Sequence, residues 1–218
     1  MPPGDLKSGV HLVLVSRPGS PQPSDVALVS AYADGQPHAG EQIWQKYAPL
    51  VDRVMARFFG RGQEIEDLTQ EVFLRVFSRI HTLEDPSALR SFIYSIAIRV
   101  LRWELRRRWI RRCLSLSAGG RLPERAAPCG DFEARQAVAR LYGILDRLAI
   151  ADRAAFVLRQ MEGLSLEETS QSLGVSVATV KRRVRRACET IDHYVRSDGA
   201  LLGYLQSQPQ EALADAGP

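Results

Sequence analysis

Cysteine, histidine and long apolar runs are all scarce in this chain, and each scarcity removes a class of function. Among 218 residues there are three cysteines, Cys113, Cys129 and Cys188, with no close C-x-x-C pair. A disulfide framework or a zinc ribbon needs more thiols at tighter spacing, so both are excluded, and a reducing cytoplasm is the compartment that fits. The apolar run Leu12 to Val15 is far too short to cross a bilayer and lacks the long core and cleavage site of a signal peptide, so no membrane insertion is expected. His11, His38, His81 and His193 are scattered, no glycine-rich phosphate loop is present, and no Ser, Cys or carboxylate lies in a known nucleophile motif. The expectation is a non-enzyme with no catalytic residue, metal or cofactor. No internal repeat is present.

What remains is ample for folding. With 45% hydrophobic residues the chain can bury one or two cores, and two small helical domains are the natural reading. A net charge of +4 is modest, but its distribution is not. Seven arginines lie between Arg99 and Arg112 against one acid, Glu104, while Glu64, Glu66, Asp67 and Glu71 form a patch with no basic residue among them. Such a chain suits DNA on one face and a basic protein on another.

Apolar spacing predicts helices throughout, giving an all-α class. Ser24 caps a first helix that ends at Asp34-Gly35-Gln36-Pro37. A second runs over 39–59 with Ile43, Tyr47, Leu50, Val51, Val54 and Phe58 as its stripe, and Pro49 is expected to kink or divide it. A third covers 65–80, burying Leu68, Val72 and Val76. The next starts at Pro86 and runs over 87–108 with Leu89, Ile93, Ile96, Ala97 and Val100 facing a core. Its opposite side carries Ser91, Ser95, Arg99, Arg102 and Arg106, a polar stripe that grows basic along the helix. Beside that stripe stand Phe92, Tyr94, Trp103 and Trp109, rings that either stack on unpaired bases or pack in a core. Residues 114–130, with Ser117-Ala118-Gly119-Gly120, Pro123 and Pro128, have linker composition. Beyond it, a helix over 134–148 buries Val138, Leu141 and Leu145, and Asp152 caps another that stops at Glu162-Gly163.

The most specific stretch is Gly163 to Arg186. Ser165 and Glu168 form a capping box, Gly174 follows Leu173 where a left-handed residue is needed, and Ser176 caps a second helix with Val177, Val180, Val184, Ala187 and Ile191 as its stripe. Lys181, Arg182, Arg183, Arg185 and Arg186 fall mostly outside that stripe. This is a helix-turn-helix whose second helix presents positive charge to phosphates and guanine edges.

Three segments then resemble one family. Glu66-Asp67-Leu68-Thr69-Gln70-Glu71-Val72-Phe73-Leu74 resembles the second conserved region of bacterial sigma-70 factors, Ser91 to Ala97 resembles their promoter-melting helix, and Glu162 through Lys181 resembles their fourth region. The short linker is similar to that of the extracytoplasmic-function subgroup. The resemblance implies a sigma factor that joins core RNA polymerase, directs it to promoters and assists melting. Residues 1–23, with several prolines and glycines, read as a flexible leader and 196–218 as a short tail; between them the resemblance implies a region 2-like domain over 24–112, a linker over 113–133 and a region 4-like, winged-helix-like helix-turn-helix domain over 134–195. By the same resemblance Asp67, Gln70, Glu71 and Leu74 would meet polymerase. Arg90, Tyr94, Ser95, Arg99, Arg102 and Arg106 would face the minus-ten element, and Ser176, Thr179, Lys181, Arg182, Arg185 and Arg186 the minus-thirty-five element. Partners would be core RNA polymerase, promoter DNA and an anti-sigma factor. Phe92, Ser95 and Arg99 stand where relatives commonly carry tryptophan, arginine and asparagine, Val177-Ala178 replaces a common proline-glycine, and Arg185 stands where an aromatic or histidine is frequent. The competing reading is a stand-alone helix-turn-helix regulator that binds a duplex operator and uses its first domain to dimerise. On the sigma-factor reading, carboxylate-rich and arginine-rich surfaces are expected on separate helical lobes.

Overall fold

The computed structural model describes residues 23–60, 63–114 and 132–207, and among them there are helices and turns but no strand. Most of the leader and linker, and the end of the tail, lie outside these residues. Four helices build the first lobe: α1 (Asp25–Ala33), α2 (Ala39–Phe59), α3 (Gln63–Arg79) and α4 (Leu89–Leu114). Ser24 caps α1, its hydroxyl accepting the Ala27 N–H at 3.2 Å. Asp25 then ties α1 to α2 by accepting from Lys46 at 2.8 Å and from the Tyr47 hydroxyl at 2.7 Å.

Pro49 does not divide α2, which is continuous through it. Both Pro49 and Gln45, whose carbonyl loses its partner, are exposed, so water can satisfy the freed acceptor while Tyr47, Ala48 and Val51 stay packed beneath. The helix expected to begin at Ser87 is preceded by a 3-10 turn over Pro86–Ala88, where Asp85 accepts the Ser87 N–H at 2.9 Å, and α4 proper starts at Leu89. Leu89, Ile93, Ile96, Ala97 and Val100 are all buried, as their spacing predicts.

The second lobe comprises α5 (Phe132–Leu145), α6 (Ile150–Phe156), α7 (Leu166–Leu173), α8 (Val177–Ser197) and α9 (Gly199–Ser207). Asp152 is not the cap of α6. That position belongs to Ala149, while Asp152 lies one turn inside, buried, and accepts from Arg186 at 3.3 Å. A π turn over Val157–Met161 continues α6 and widens the backbone just before Glu162. The capping box forms in full: Ser165 Oγ accepts the Glu168 N–H at 3.0 Å and Glu168 Oε2 accepts the Ser165 N–H at 2.7 Å. Helix α9 lies in the segment read as a tail. Its Leu201 packs with Ala137 and Ile144 of α5, and Asp198 caps it while pairing with Arg140 at 2.8 Å.

The two helical lobes expected from the sequence are both present, and one apolar core runs from one into the other. Ile93, Ile96, Val100 and Leu101 of the first lobe share a cluster with Ala154, Leu158, Leu164, Leu173 and Val180 of the second. The densest packing between any two helices is that of α4 on α7. Ala, Leu and Val dominate the second lobe's contribution, as expected of a helix face that must meet another helix rather than water.

The turn between α7 and α8 supplies a stability test. Gly174 has φ of 64°, and a Cβ added there would meet no atom within 4 Å, so any penalty is purely conformational. Gly174→Ala is expected to lower unfolding free energy by about 1 kcal/mol, and Ser165→Ala by about 1 kcal/mol through the lost cap. Urea unfolding monitored by helical circular dichroism checks both, with lower midpoints and unchanged slopes expected.

Candidate nucleic-acid and protein interfaces

Helix α3 carries its acidic surface because its apolar residues are committed elsewhere. Ile65, Leu68, Val72 and Val76 face the core, which turns Glu66, Asp67, Gln70 and Leu74 to solvent and leaves Glu71 half-exposed. Leu74 is 68% exposed, an apolar side chain set in a charged surface. Glu71 pairs along the helix with Arg75 at 2.7 Å, and Glu64 reaches Arg108 of α4 at 2.5 Å. The four residues expected at a polymerase contact thus share one outward face.

Helix α4 divides into two halves. Toward its end Arg99, Arg102, Trp103 and Arg106 are exposed, with the Arg107 guanidinium 4.9 Å from the Trp103 ring centroid. Toward its start the expected surface is covered. Arg90 donates to the Glu162 backbone carbonyl at 2.7 Å and approaches Glu168 at 3.7 Å. Ser91 is buried, its carbonyl 3.4 Å from the Ser172 hydroxyl, and Ser95 is half-buried with its hydroxyl bonded to the Phe92 carbonyl. Tyr94, expected to face DNA, is 1% exposed. Its ring follows the common fate of aromatics at helical spacing, whereas Trp103, nine residues on, stays outside.

Helix α8 keeps its charge outside. Val180 and Ala187 are buried, and Lys181, Arg182, Arg185 and Arg186 are exposed. Ser176 and Thr179 are occupied in the cap, their side-chain oxygens 3.0 Å apart and the Ser176 hydroxyl accepting the Thr179 N–H. Arg183 points the other way, toward the first lobe. Partial desolvation of its otherwise exposed side chain, and then the like charge of Arg183, lower the Arg102 guanidinium from its usual value.

Composition and periodicity did not mark the joint between the lobes. Glu162, with a side chain wholly removed from solvent, lies 3.1 Å from Arg53 and 3.5 Å from Arg57. Arg153 in turn donates to the Arg57 carbonyl and lies over the Phe58 ring at 4.6 Å. Arg57 falls on the apolar stripe between Val54 and Phe58, and a cation on a buried stripe is the signal that could have exposed this joint. Of the cysteines only Cys188 has a described side chain, and burial raises its thiol above the ordinary value. Among the described residues no group of His, Cys, Asp and Glu could hold a metal, and no helix is long and apolar enough to cross a membrane.

An acidic helix face, a basic helix stripe and an exposed basic recognition helix define a DNA-binding protein that also offers a protein-docking surface. Comparison with known proteins settles its kind. Residues 43–111 match the model of sigma-70 region 2 and residues 139–191 that of sigma-70 region 4. The chain is 31% identical over 179 residues to the ECF RNA polymerase sigma factor SigE of Mycolicibacterium smegmatis, covering 81% of this chain and 69% of that one. It is 35% identical over 130 residues to the ferric citrate uptake sigma factor FecI of Escherichia coli, covering 58% and 73%. The fold is similar to that of CnrH in complex with the cytosolic domain of CnrY, with a TM-score of 0.61 at 22% identity over 80% of this chain and 99% of that one. The sigma factor RpoE of Bartonella quintana, solved with the anti-sigma factor NepR, gives 0.61 at 19% identity over 74% and 99%. The chain belongs to the sigma-70 family of RNA polymerase sigma factors, in its extracytoplasmic-function subgroup.

The buried tyrosine gives a pH signature. Burial first, and then the Glu162 carboxylate, push the Tyr94 phenol from 10.0 up to about 12, with Arg90 and Arg53 pulling the other way. A phenol raised on folding contributes stability that is complete below pH 10 and lost as pH climbs to about 12, since only the unfolded chain ionises in that window. Tyr94→Phe is expected to remove about 1 kcal/mol of the alkaline loss between pH 9 and 11. Urea unfolding at pH 9 and 11 checks it, and an unchanged pH slope would mean that the phenol is not shielded.

Proposed function

We propose that the labour of this sigma factor is divided among three helices. The α3 face of Asp67, Gln70, Glu71 and Leu74 docks core RNA polymerase, with the carboxylates steering encounter and Leu74 contributing apolar burial. The α4 stripe, from Arg90, Tyr94 and Ser95 through Arg99, Arg102 and Arg106, serves the minus-ten element. There a side chain that traps an unpaired base draws the duplex toward the melted state without ATP. On α8, Arg182, Arg185 and Arg186 read base edges at the minus-thirty-five element while Lys181, Ser176 and Thr179 hold backbone phosphate.

One observation carries this reading: a solvent-facing acidic and apolar helix face on the same chain as a recognition helix whose Lys181, Arg182, Arg185 and Arg186 are all exposed. A stand-alone regulator that dimerises through its first domain would set these carboxylates against those of its own copy, an unfavourable pairing of like charges. The chain acts by binding, not as an enzyme, and works in the cytoplasm. An anti-sigma factor is its natural negative partner, as for the solved relative bound to NepR.

Two double variants separate the roles. Arg182→Ala with Arg185→Ala is expected to leave core binding intact and to lower run-off transcription at least ten-fold, from about 1 to 3 kcal/mol lost per bidentate base contact. Gln70→Ala with Glu71→Ala is expected to weaken co-purification with core while sparing duplex binding. Equal damage by both pairs to one step would contradict the division.

A further inference from the structure

Helix α9 and the end of α8 enclose a hollow that lies outside the DNA and polymerase surfaces. Tyr194 of α8 and Asp198 and Ala200 at the start of α9 lie beyond the residues that match sigma-70 region 4. With Arg140, Ile144 and Arg147 of α5 and the turn after it, they wall a cavity of about 750 Å³. That is the size of a pocket for an organic ligand rather than for a simple ion. Tyr194 stands eight residues past Arg186, about 12 Å along α8, so the cavity is apart from the recognition residues.

The charges around the cavity are unevenly committed. Arg140 Nη1 donates to both oxygens of Asp198, at 2.8 and 3.0 Å. The Leu201 N–H, and then Arg140, hold the Asp198 carboxyl below the usual carboxylate range, so it stays ionised. Arg147 is exposed and pairs with no carboxylate among the described residues, while its guanidinium lies 4.6 Å from the Tyr194 ring centroid. Stacking of that kind orients the guanidinium and leaves its in-plane N–H groups free for a planar acceptor. Beside this cation the wall is apolar, with Ile144 buried and the Tyr194 ring half-buried. Gly143 keeps the space open. It lies within α5 without a positive φ, and a Cβ added there would meet no atom within 4 Å, so neither backbone nor packing requires a glycine where alanine would favour the helix more.

We propose that this cavity binds a small organic monoanion, its carboxylate held by two hydrogen bonds from Arg147 and its apolar body resting against Ile144 and Tyr194. One guanidinium without a partner balances one negative charge, and its fork matches the two oxygens of a carboxylate. A dianion such as a phosphate monoester would set its second charge against the ionised Asp198, and Arg140 is already committed there. The occupant touches α5, α8 and α9 together and so stabilises the second lobe by mass action.

The test is calorimetric titration of the full-length chain at pH 8 with three probes of similar shape: 1-naphthoate, 1-naphthyl phosphate, which is then a dianion, and the neutral 1-naphthamide. Expected is one saturable site, with naphthoate bound about ten-fold more tightly than either analogue through its charge-assisted hydrogen bonds. Arg147→Gln is expected to bring naphthoate down to the affinity of the amide. Gly143→Leu, which fills the cavity from a position where a side chain has room, is expected to abolish binding of all three at unchanged helicity by circular dichroism. Arg182→Ala with Arg185→Ala is expected to leave naphthoate binding as it is, whereas a loss there would put the anion on α8 and overturn the site. No saturable binding of naphthoate, binding that survives Gly143→Leu, or a phosphate bound more tightly than the carboxylate would overturn it equally.

Discussion

A single buried carboxylate organises this molecule. Glu162 ends the α6 segment, has its side chain wholly enclosed, and meets Arg53 and Arg57 of another lobe while its backbone carbonyl accepts from Arg90. A charge in the interior is stable only where a partner compensates it, so these contacts fix the register in which the second lobe docks on the first. The apolar core that runs from Ile93 and Leu101 to Leu158, Leu164 and Val180 supplies area, but apolar contact alone would allow the lobes to slide. The ion pairs make one arrangement preferable to its neighbours.

From that joint the placement of the functional surfaces follows. With α7 seated on α4, the basic end of α4 and the outer face of α8 remain in solvent, as do Glu66, Asp67 and Gln70 of α3. Of the acidic residues of α3, Glu64 pairs with Arg108 and Glu71 with Arg75, which leaves Glu66 and Asp67 as the carboxylates facing solvent. Exposed charge of both signs on one chain of small net charge suits it to a polyanion and to a protein at once. The π turn before Glu162 contributes by altering the helical phase just where the chain must turn its carboxylate toward the other lobe.

Much of this was legible in the residues, for identifiable reasons. The capping box at Ser165 and Glu168, the left-handed Gly174 and the Ser176 cap are local rules whose hydrogen bonds close within a few residues, and each formed as read. The buried stripes of α2, α3 and α4 were equally plain, because a helix against a core repeats its apolar positions. What escaped was long-range. Asp152 looked like a cap and became a buried partner of Arg186, Tyr94 looked available and was enclosed, and α9 looked like a tail and docked on α5. Glu162 and Arg57, 105 residues apart in sequence, carry no periodic trace of one another. Pairings of that kind are set by how lobes meet, and one-dimensional patterns encode faces rather than which face meets which.

If the buried Glu162 joint fixes how the two lobes dock, removing its carboxylate must loosen that docking. The most direct measurement is the inter-lobe distance, read by energy transfer between dyes on exposed Ser78 of α3 and exposed His193 of α8, in the native chain and in Glu162→Ala. A short, narrowly distributed distance that lengthens and broadens in the variant at unchanged helicity is the predicted result. A distance unchanged by the substitution would contradict it.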